Sequence, residues 1–297
     1  MTKSRGVADW GHYPPVNNNI LINPSFTVKQ RGDVIDHNGD SYGPDRWYVR
    51  GVLGTKGTMS QSTTVTDSTT GTQKLVVKHR NATESSYVVQ QVEAVNVQGL
   101  YGKEMTFSFS YSDTGGSGIP YVAISSFDSS AIAKTLFNTI PTSLGDNRWT
   151  CTFTLSTTDG TFPDPSEKGM QVAIFPNEQN AAPAEWSVWE TKLEVGSVAT
   201  PFIARPYGEE LALCQRYYWE NTTLAAYYAY QYASTNRILF VPFPVPMRAT
   251  PTPAVVMSGG SFASFGSDEY QYKAWNSSDY TDIIPYNTSS VKFDAEL

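Results

Sequence analysis

The stretch that decides the fold runs Met105-Thr106-Phe107-Ser108-Phe109-Ser110-Tyr111, with an apolar residue at every second position. A period of two is typical of a β-strand in an antiparallel sheet that has one face in a core and the other in water. The apolar residues are therefore predicted to be buried, and Thr106, Ser108 and Ser110 to face solvent.

The same alternation recurs along the chain. It is found between Trp149 and Leu155, at Met170, Val172 and Ile174, and again from Trp186 to Val188. Turn-forming residues separate these runs, at 113–118, 146–147 and 159–160. Short strands with such spacing predict an all-β sandwich or barrel.

Composition agrees with this class. The chain has 297 residues, of which 16% are charged, fewer than the roughly one-quarter of an average globular protein. This length favours about two domains, each large enough to bury a core. The residues in excess (Ser, Thr, Asn, Tyr and Gly) are those of strands and turns.

A boundary between two domains is predicted near residue 205. The segment 208–216 is the best helical candidate, with acidic residues first and Arg216 last, as the helix dipole favours. Beyond it the chain is rich in tyrosine, with 11 of the 18 in residues 206–297. Alternate prolines in 241–247 predict an extended edge segment, because proline cannot donate to a sheet. We therefore predict a lead-in or attachment segment at 1–18, a β domain at 19–205 and a smaller β domain at 206–297.

Charge and hydropathy exclude several classes of function. The net charge of −7 argues against a nucleic-acid partner, which needs clustered Lys and Arg. The apolar runs are too short to span a bilayer, and the first residues lack the apolar core of a signal peptide. Synthesis in a bacterial cytoplasm without export is expected, so Cys151 and Cys214 are predicted to be buried, reduced thiols.

Three stretches, which together span about 20–251, resemble the tail fibre and prophage tail proteins of bacteriophages. The first is 19–32, Asn-Ile-Leu-Ile-Asn-Pro-Ser-Phe-Thr-Val-Lys-Gln-Arg-Gly, followed by Gly-Pro-Asp-Arg-Trp at 43–47. It is similar to the opening strand and first turn of their carbohydrate-binding-like jelly roll. The second, 192–202, resembles the closing strand of that module and leads into 205–218. The third is 241–251.

The resemblance implies a virion component located in the tail, which assembles as a homotrimer and attaches to other virion tail proteins. It implies a jelly-roll β-sandwich followed by a smaller β-sandwich head domain, with a short helix between them. The expected partner is a host cell-surface polysaccharide. The chain departs from the family in lacking long shaft or collagen-like repeats, and its last 45 or so residues match nothing in it.

Catalytic motifs are missing from the sequence, and we predict that the protein is not an enzyme and needs no cofactor. All three histidines lie in the first 79 residues, and the signatures of serine hydrolases, zinc proteases and phosphate-binding loops do not occur. A pair of glycosidase carboxylates could still be assembled from the scattered Asp and Glu. The chain shows no period of the β-solenoids that degrade polysaccharides.

One loop has the spacing of a metal site. Asp36, Asn38 and Asp40 alternate, and oxygen ligands at such positions can wrap a calcium ion. The glycine is misplaced for an EF-hand loop and no glutamate follows at the twelfth position. A solvated, Asx-rich turn is therefore favoured over a metal site.

An aromatic and polar cluster close to residue 275 is the predicted glycan surface. Ring faces stack on sugars, while amides and carboxylates bind hydroxyl groups. The alternative is that these tyrosines pack in a core or in a trimer interface. The predicted ligand-binding residues are Tyr270, Tyr272, Trp275, Asn276, Asp279, Tyr280 and Asp282.

The sequence thus predicts non-catalytic recognition of a host glycan by a phage tail protein. Two alternatives remain open. The protein could be a purely structural virion subunit, in the tail tip or as a capsid decoration, or it could be a glycan-degrading enzyme.

Overall fold

The fold is taken from a computed structural model. The structure describes residues 18–32, 34–36, 41–52, 61–68, 70–78, 85–100, 102–128, 134–155, 167–176, 185–221, 229–232, 236–258, 264–276 and 287–296.

Within these ranges the chain is almost entirely β-structure. The first thirteen strands are β1 (Val34–Asp36), β2 (Ser41–Tyr42), β3 (Trp47–Val52), β4 (Gln61–Thr66), β5 (Gln73–Lys78), β6 (Ser85–Glu93), β7 (Glu104–Thr114), β8 (Pro120–Asp128), β9 (Lys134–Thr139), β10 (Thr142–Gly145), β11 (Arg148–Thr154), β12 (Glu167–Pro176) and β13 (Glu185–Val195). Seven strands follow: β14 (Tyr218–Asn221), β15 (Ala229–Tyr232), β16 (Asn236–Pro242), β17 (Thr252–Ser258), β18 (Ser264–Ser267), β19 (Gln271–Asn276) and β20 (Asn287–Asp294). The helices are α1 (Ala94–Val97) and α2 (Tyr207–Gln215).

The strands form four antiparallel sheets. A seven-stranded sheet has the order β1-β4-β5-β13-β7-β11-β10, and a six-stranded sheet has the order β2-β3-β6-β12-β8-β9. The second pair of sheets is smaller, with orders β14-β20-β17 and β15-β16-β19-β18. This arrangement confirms the predicted fold class, an all-β jelly-roll sandwich followed by a smaller β unit with a short helix between them. The division into domains at 18 and 205 stays a prediction.

The core of the sandwich lies between the two large sheets, and the predicted alternation explains it. Met105, Phe107, Phe109 and Tyr111 of β7 are all buried. The six-stranded sheet contributes residues of the same kind from its facing side: Trp47, Val49, Val88, Val92, Val122, Ile124, Met170, Val172 and Ile174.

The other face of β7 corrects the sequence prediction. Thr106, Ser108 and Ser110 were expected to face solvent, but all three are buried. The Arg148 guanidinium covers the serines and donates to Ser108 Oγ at 2.7 Å, while Thr106 Oγ1 donates to the Gly196 carbonyl at 2.6 Å. Alternation identified the two faces of the strand, but it could not show that another part of the chain covers the polar one.

The expected opening strand at 19–32 is also wrong. These residues, all described, form turns and irregular backbone, and the first strand begins at Val34. The asparagines explain the difference, because they bond the backbone locally. Asn23 takes φ 53° and its side chain exchanges two hydrogen bonds with the backbone of Val28, at 3.0 and 2.7 Å.

Helix α2 lies one residue earlier than the predicted 208–216. It follows Pro206, and its first turn carries Glu209 and Glu210. Glu210 is buried, accepts from the Asn23 N–H at 2.6 Å and pairs with Arg205 at 3.1 Å. The four-residue helix α1 was not predicted.

A small aromatic core supports the second pair of sheets. Trp219 stacks on Phe293 at 5.7 Å, and Phe243 packs edge-on against Phe293 at 4.8 Å. The expected extended edge segment at 241–247 begins at the end of β16. Val241 and Pro242 pair with β19 alone, since the described pairing of β16 with β15 covers only Asn236–Leu239. Pro242 is tolerated there because this end of the strand has a described neighbour on one side only.

Both cysteines are free and buried, as predicted. A membrane-crossing helix, sufficiently long and apolar, is not found in the described part of the chain.

Candidate functional site

The six-stranded sheet carries aromatic side chains on the face that points away from the sandwich core. Val88 and Ile174 point into the core, so Tyr87 and Phe175, their neighbours in sequence, point outward. We call this group the aromatic platform: Tyr42, Tyr48, Tyr87, Tyr121 and Phe175. Tyr48 is buried and the other four are half-buried.

Three of the rings form a continuous row across neighbouring strands. Tyr87 of β6 stacks on Phe175 of β12, with ring centroids 4.3 Å apart and planes at 24°. Tyr121 of β8 pairs with Phe175 in register and packs edge-on against its ring at 6.0 Å. The row is therefore held by ring contacts as well as by the sheet.

A strip of small side chains runs beside this row. It is formed by Val89, Ala173 and Ala123, which pair across β6, β12 and β8. Val89 and Ala173 are buried in one cluster with Tyr48, and Tyr42, Tyr87, Ala123 and Phe175 pack against it, so the half-buried rings are the more accessible part of this face. At one end of the strip Tyr48 of β3 pairs with Val89.

A polar row bounds the strip on its other side. Gln91 pairs with Gln171, which pairs in turn with Ser125. The Tyr48 hydroxyl donates to Gln171 Oε1 at 3.4 Å, so the polar row contacts an aromatic ring of the platform. Arg50 donates to the Tyr87 hydroxyl at 3.4 Å and brings a positive charge to the same face.

The chemistry of this surface suits a saccharide. The half-buried rings offer an apolar, amphipathic contact, and the half-buried Gln91 offers an amide beside them, whereas Gln171 and Ser125 are buried. Adjacent strands are about 4.8 Å apart, so the row of three rings extends roughly 10 Å from β6 to β8. That length exceeds a single sugar ring.

Sequence reasoning missed the platform. The strands were recognised by one apolar face, and the opposite face was assigned to water. The available indication was that β6 and β12 are apolar on both faces, as the runs Tyr87-Val88-Val89 and Val172-Ala173-Ile174-Phe175 show. Only the strand order brings Tyr87, Phe175 and Tyr121 side by side.

The predicted glycan residues lie elsewhere, in the second pair of sheets. Tyr270 is 63% exposed and immediately precedes β19. Tyr272, Trp275 and Asn276 are within β19, where Tyr272 pairs with Val241. The rest of the predicted site, Asp279, Tyr280 and Asp282, lies outside the described residues, so this site stays a prediction.

The candidate metal loop is only partly described. Asp36 ends β1 and pairs with Gln61, whereas Asn38 and Asp40 lie outside the described residues. Across the ranges that the structure describes, no group of three or more His, Cys, Asp or Glu side chains could hold a metal ion. The turn interpretation of this loop also stays a prediction.

The two thiols are not activated. Burial raises the pKa of Cys151 to about 12, and it also raises the pKa of Cys214. A nucleophilic cysteine needs a lowered pKa, so neither thiol is suited to that role.

A cavity of about 690 Å³ lies between α2 and the segment that follows β16. It is lined by charged and apolar side chains, among them Arg205, Arg248 and Met247. Both arginines are already bonded within the protein, Arg205 to Glu210 and Arg248 to the Ala295 carbonyl. These two arginines therefore have fewer donors left for a ligand than the list of lining residues suggests.

Comparison with known proteins finds only distant similarities. No protein-family model and no curated protein sequence matches the chain. Among solved structures, an enzymatically active domain of bacteriophage CBA120 tailspike protein 4 is 11% identical with a TM-score of 0.36; the match covers 60% of this chain and 22% of that one. The C-terminal family 22 carbohydrate-binding module of Clostridium thermocellum Xyn10B is 14% identical with a TM-score of 0.36, over 63% of this chain and all of that one.

A third similar structure is the CBM22-1 xylan-binding domain of Paenibacillus barcinonensis Xyn10C. It is 9% identical with a TM-score of 0.34, over 63% of this chain and all of that one. At these values the similarity is too distant to transfer a ligand or an activity to this chain.

Proposed function

We propose that this protein recognises a glycan on the surface of a bacterial host, as a non-catalytic component of a phage tail. The proposal of glycan binding rests on the aromatic platform, where three packed rings border a strip of small side chains and a row of amides. The phage context is supported by the resemblance of 19–47, 192–218 and 241–251 to tail fibre proteins. A homotrimer in the virion belongs to the same proposal.

The site is proposed to bind and not to cleave. Its aromatic row and amide row supply stacking and hydrogen bonds, which hold a saccharide without breaking it. Cleavage would require an acid and a second carboxylate about 5 to 10 Å apart on either side of the scissile bond. Release of oligosaccharide from a bound polysaccharide would contradict this part of the proposal.

The test is binding to an array of bacterial surface polysaccharides, with two variants that separate the candidate surfaces. Tyr121→Ala removes one ring of the platform, and Trp275→Ala removes the central ring of the predicted site on β19. We expect wild type to bind a defined subset of glycans and Tyr121→Ala to lose that binding. If only Trp275→Ala loses it, the glycan site is on β19. If wild type binds no glycan, the proposal is wrong.

A further inference from the structure

A cluster of arginines, tyrosines and carboxylates connects the sandwich to the second pair of sheets. Arg46 pairs with Glu296, and its guanidinium lies 3.5 Å from the centroid of the Tyr217 ring. Arg31 pairs with Glu296 at 3.4 Å and lies 3.6 Å from the centroid of Tyr218. We call this cluster the arginine junction. Its two arginines belong to the sandwich side, and its partners come from residues 217–218 and 294–296.

The charged side chains of the junction are almost completely shielded from solvent. The side chains of Arg46, Glu296 and Arg31 are 2%, 5% and 12% exposed. A charge that loses its partner in such a place is left uncompensated, which is strongly unfavourable. The ion pairs must therefore form together with the packing of the second pair of sheets against the sandwich.

The same Arg31 also contacts the aromatic platform. Its guanidinium lies 4.6 Å from the centroid of Tyr42, so the arginine sits between Tyr42 and Tyr218. Tyr42 in turn packs edge-on against Tyr48, with ring centroids 5.6 Å apart. Burial raises the pKa of Tyr42, and the charge of Glu296 raises it further.

Arg31 has polar contacts on both sides of the junction. Its Nη1 forms an ion pair with the buried Asp45 carboxylate at 3.6 Å but makes no hydrogen bond. Its Nη2 approaches the latch segment, which we define as Asp294–Glu296, at 3.5 Å from Asp294 and 3.4 Å from Glu296. The position of the guanidinium therefore depends on ring stacking, on Asp45 and on the latch carboxylates.

We propose that the latch segment acts through Arg31 to hold the ring of Tyr42, so that docking of the second pair of sheets and the shape of the platform are coupled. Arg31 is a positioning residue in this scheme, because it orients a ring of the platform and its contacts are with protein groups, namely Tyr42, Tyr218, Asp45 and the latch. The coupling itself stands on the junction geometry alone. Its consequence for a bound glycan rests on the proposed function.

The coupling is tested without any ligand, by fluorine NMR of the full chain. One sample carries 3-fluorotyrosine at position 42 and a second carries it at position 121, at the far end of the platform. Each label is compared in wild type, in Glu296→Gln and in Glu104→Gln. Gln keeps the size of Glu296 but removes the charge that faces both arginines. Glu104 is exposed on β7, in the other large sheet, and lies outside the junction, so the same substitution there is the matched control.

We expect Glu296→Gln to move or broaden the resonance at position 42 and to leave that at position 121 unchanged. Glu104→Gln should leave both resonances unchanged. An unchanged resonance at position 42 in folded Glu296→Gln overturns the proposal. If Glu296→Gln alters both resonances, Arg31→Lys decides, because it keeps the charge and loses the planar stacking. In Arg31→Lys, the resonance at position 42 must move while the resonance at position 121 stays unchanged.

The glycan consequence is then measured on the polysaccharide that gives the strongest array signal with wild type. Glu296→Gln should weaken binding several-fold, whereas Glu104→Gln should not. If wild type binds no polysaccharide, the proposed function fails while the fluorine result still decides the coupling. If Glu296→Gln moves the resonance but leaves binding unchanged, Tyr42 is outside the glycan contact and this extension of the proposal is wrong.

Discussion

The most informative substitution on the platform is Tyr87→Ala. Tyr87 is half-buried and stacks on Phe175 at 4.3 Å, so one face of its ring is covered by protein. A binding contact made by an aromatic hot-spot residue is worth about 1–3 kcal/mol. Because 1.4 kcal/mol corresponds to a factor of ten, the dissociation constant for the glycan should rise about 5- to 150-fold.

The effect on stability is measured separately from the effect on binding. The lost ring pair is worth about 0.5–1.5 kcal/mol beyond its buried area, and the half-buried ring itself adds about 1 kcal/mol. For a chain of this size 1 kcal/mol corresponds to roughly 2–4 °C in Tm, so a fall of about 3–10 °C is expected. Calorimetric titration with the array-selected polysaccharide measures the affinity, and a thermal melt measures the stability.

Two controls sharpen the result. Tyr207→Ala removes a tyrosine that is 59% exposed at the start of α2, away from the platform, and should change neither quantity. Tyr87→Phe keeps the ring and removes only the hydroxyl that accepts from Arg50, so it should retain most of the affinity. Full affinity in a folded Tyr87→Ala would refute the assignment of the aromatic row to glycan contact.

Four further predictions concern the rest of the chain. Light scattering at micromolar concentration should give three times the mass of the chain, and a stable monomer would contradict the homotrimer. Adding EDTA should leave Tm unchanged, because the loop after Asp36 is predicted to be a turn; a drop of several degrees that calcium restores would overturn this. Burial raises the pKa of Asp45 to about 6, so the folded state binds its proton more tightly than the unfolded state. The stability contributed by the protonated carboxyl group is complete below about pH 4 and is lost as the pH rises through 6. The free energy of unfolding should therefore be about 1 kcal/mol higher at pH 5 than at pH 7.5. Asp45→Asn should lack this difference. Trp275→Ala should weaken binding to host cells more than it lowers Tm if the predicted site on β19 is correct, whereas unfolding would place Trp275 in a core.

The sequence predicted the sandwich because its strands are regular. The alternation at Met105 to Tyr111 depends only on neighbouring residues, and every apolar member of that run is buried. Where the prediction was wrong, side chains distant in sequence or local turns decided the outcome. Arg148 covers Ser108 from another strand, and Asn23 bonds to the backbone and holds a turn where a strand was expected.

The candidate site was harder to predict because it depends on strand order. Tyr87, Tyr121 and Phe175 lie on three strands that become neighbours only through the order β6-β12-β8. A single strand indicates which residues share a face, but not which strand is adjacent. The arginine junction is even harder to predict from the sequence, since Arg46 and Glu296 are 250 positions apart.

The choice of residues in the junction shows why its chemistry is specific. Each guanidinium lies over a tyrosine ring and at the same time pairs with Glu296, a combination that needs a planar cation with donors at its edge. A lysine could supply the charge but not the flat contact. Stacked, paired arginines keep both kinds of contact in one arrangement, and that arrangement is the one that places Arg31 against Tyr42.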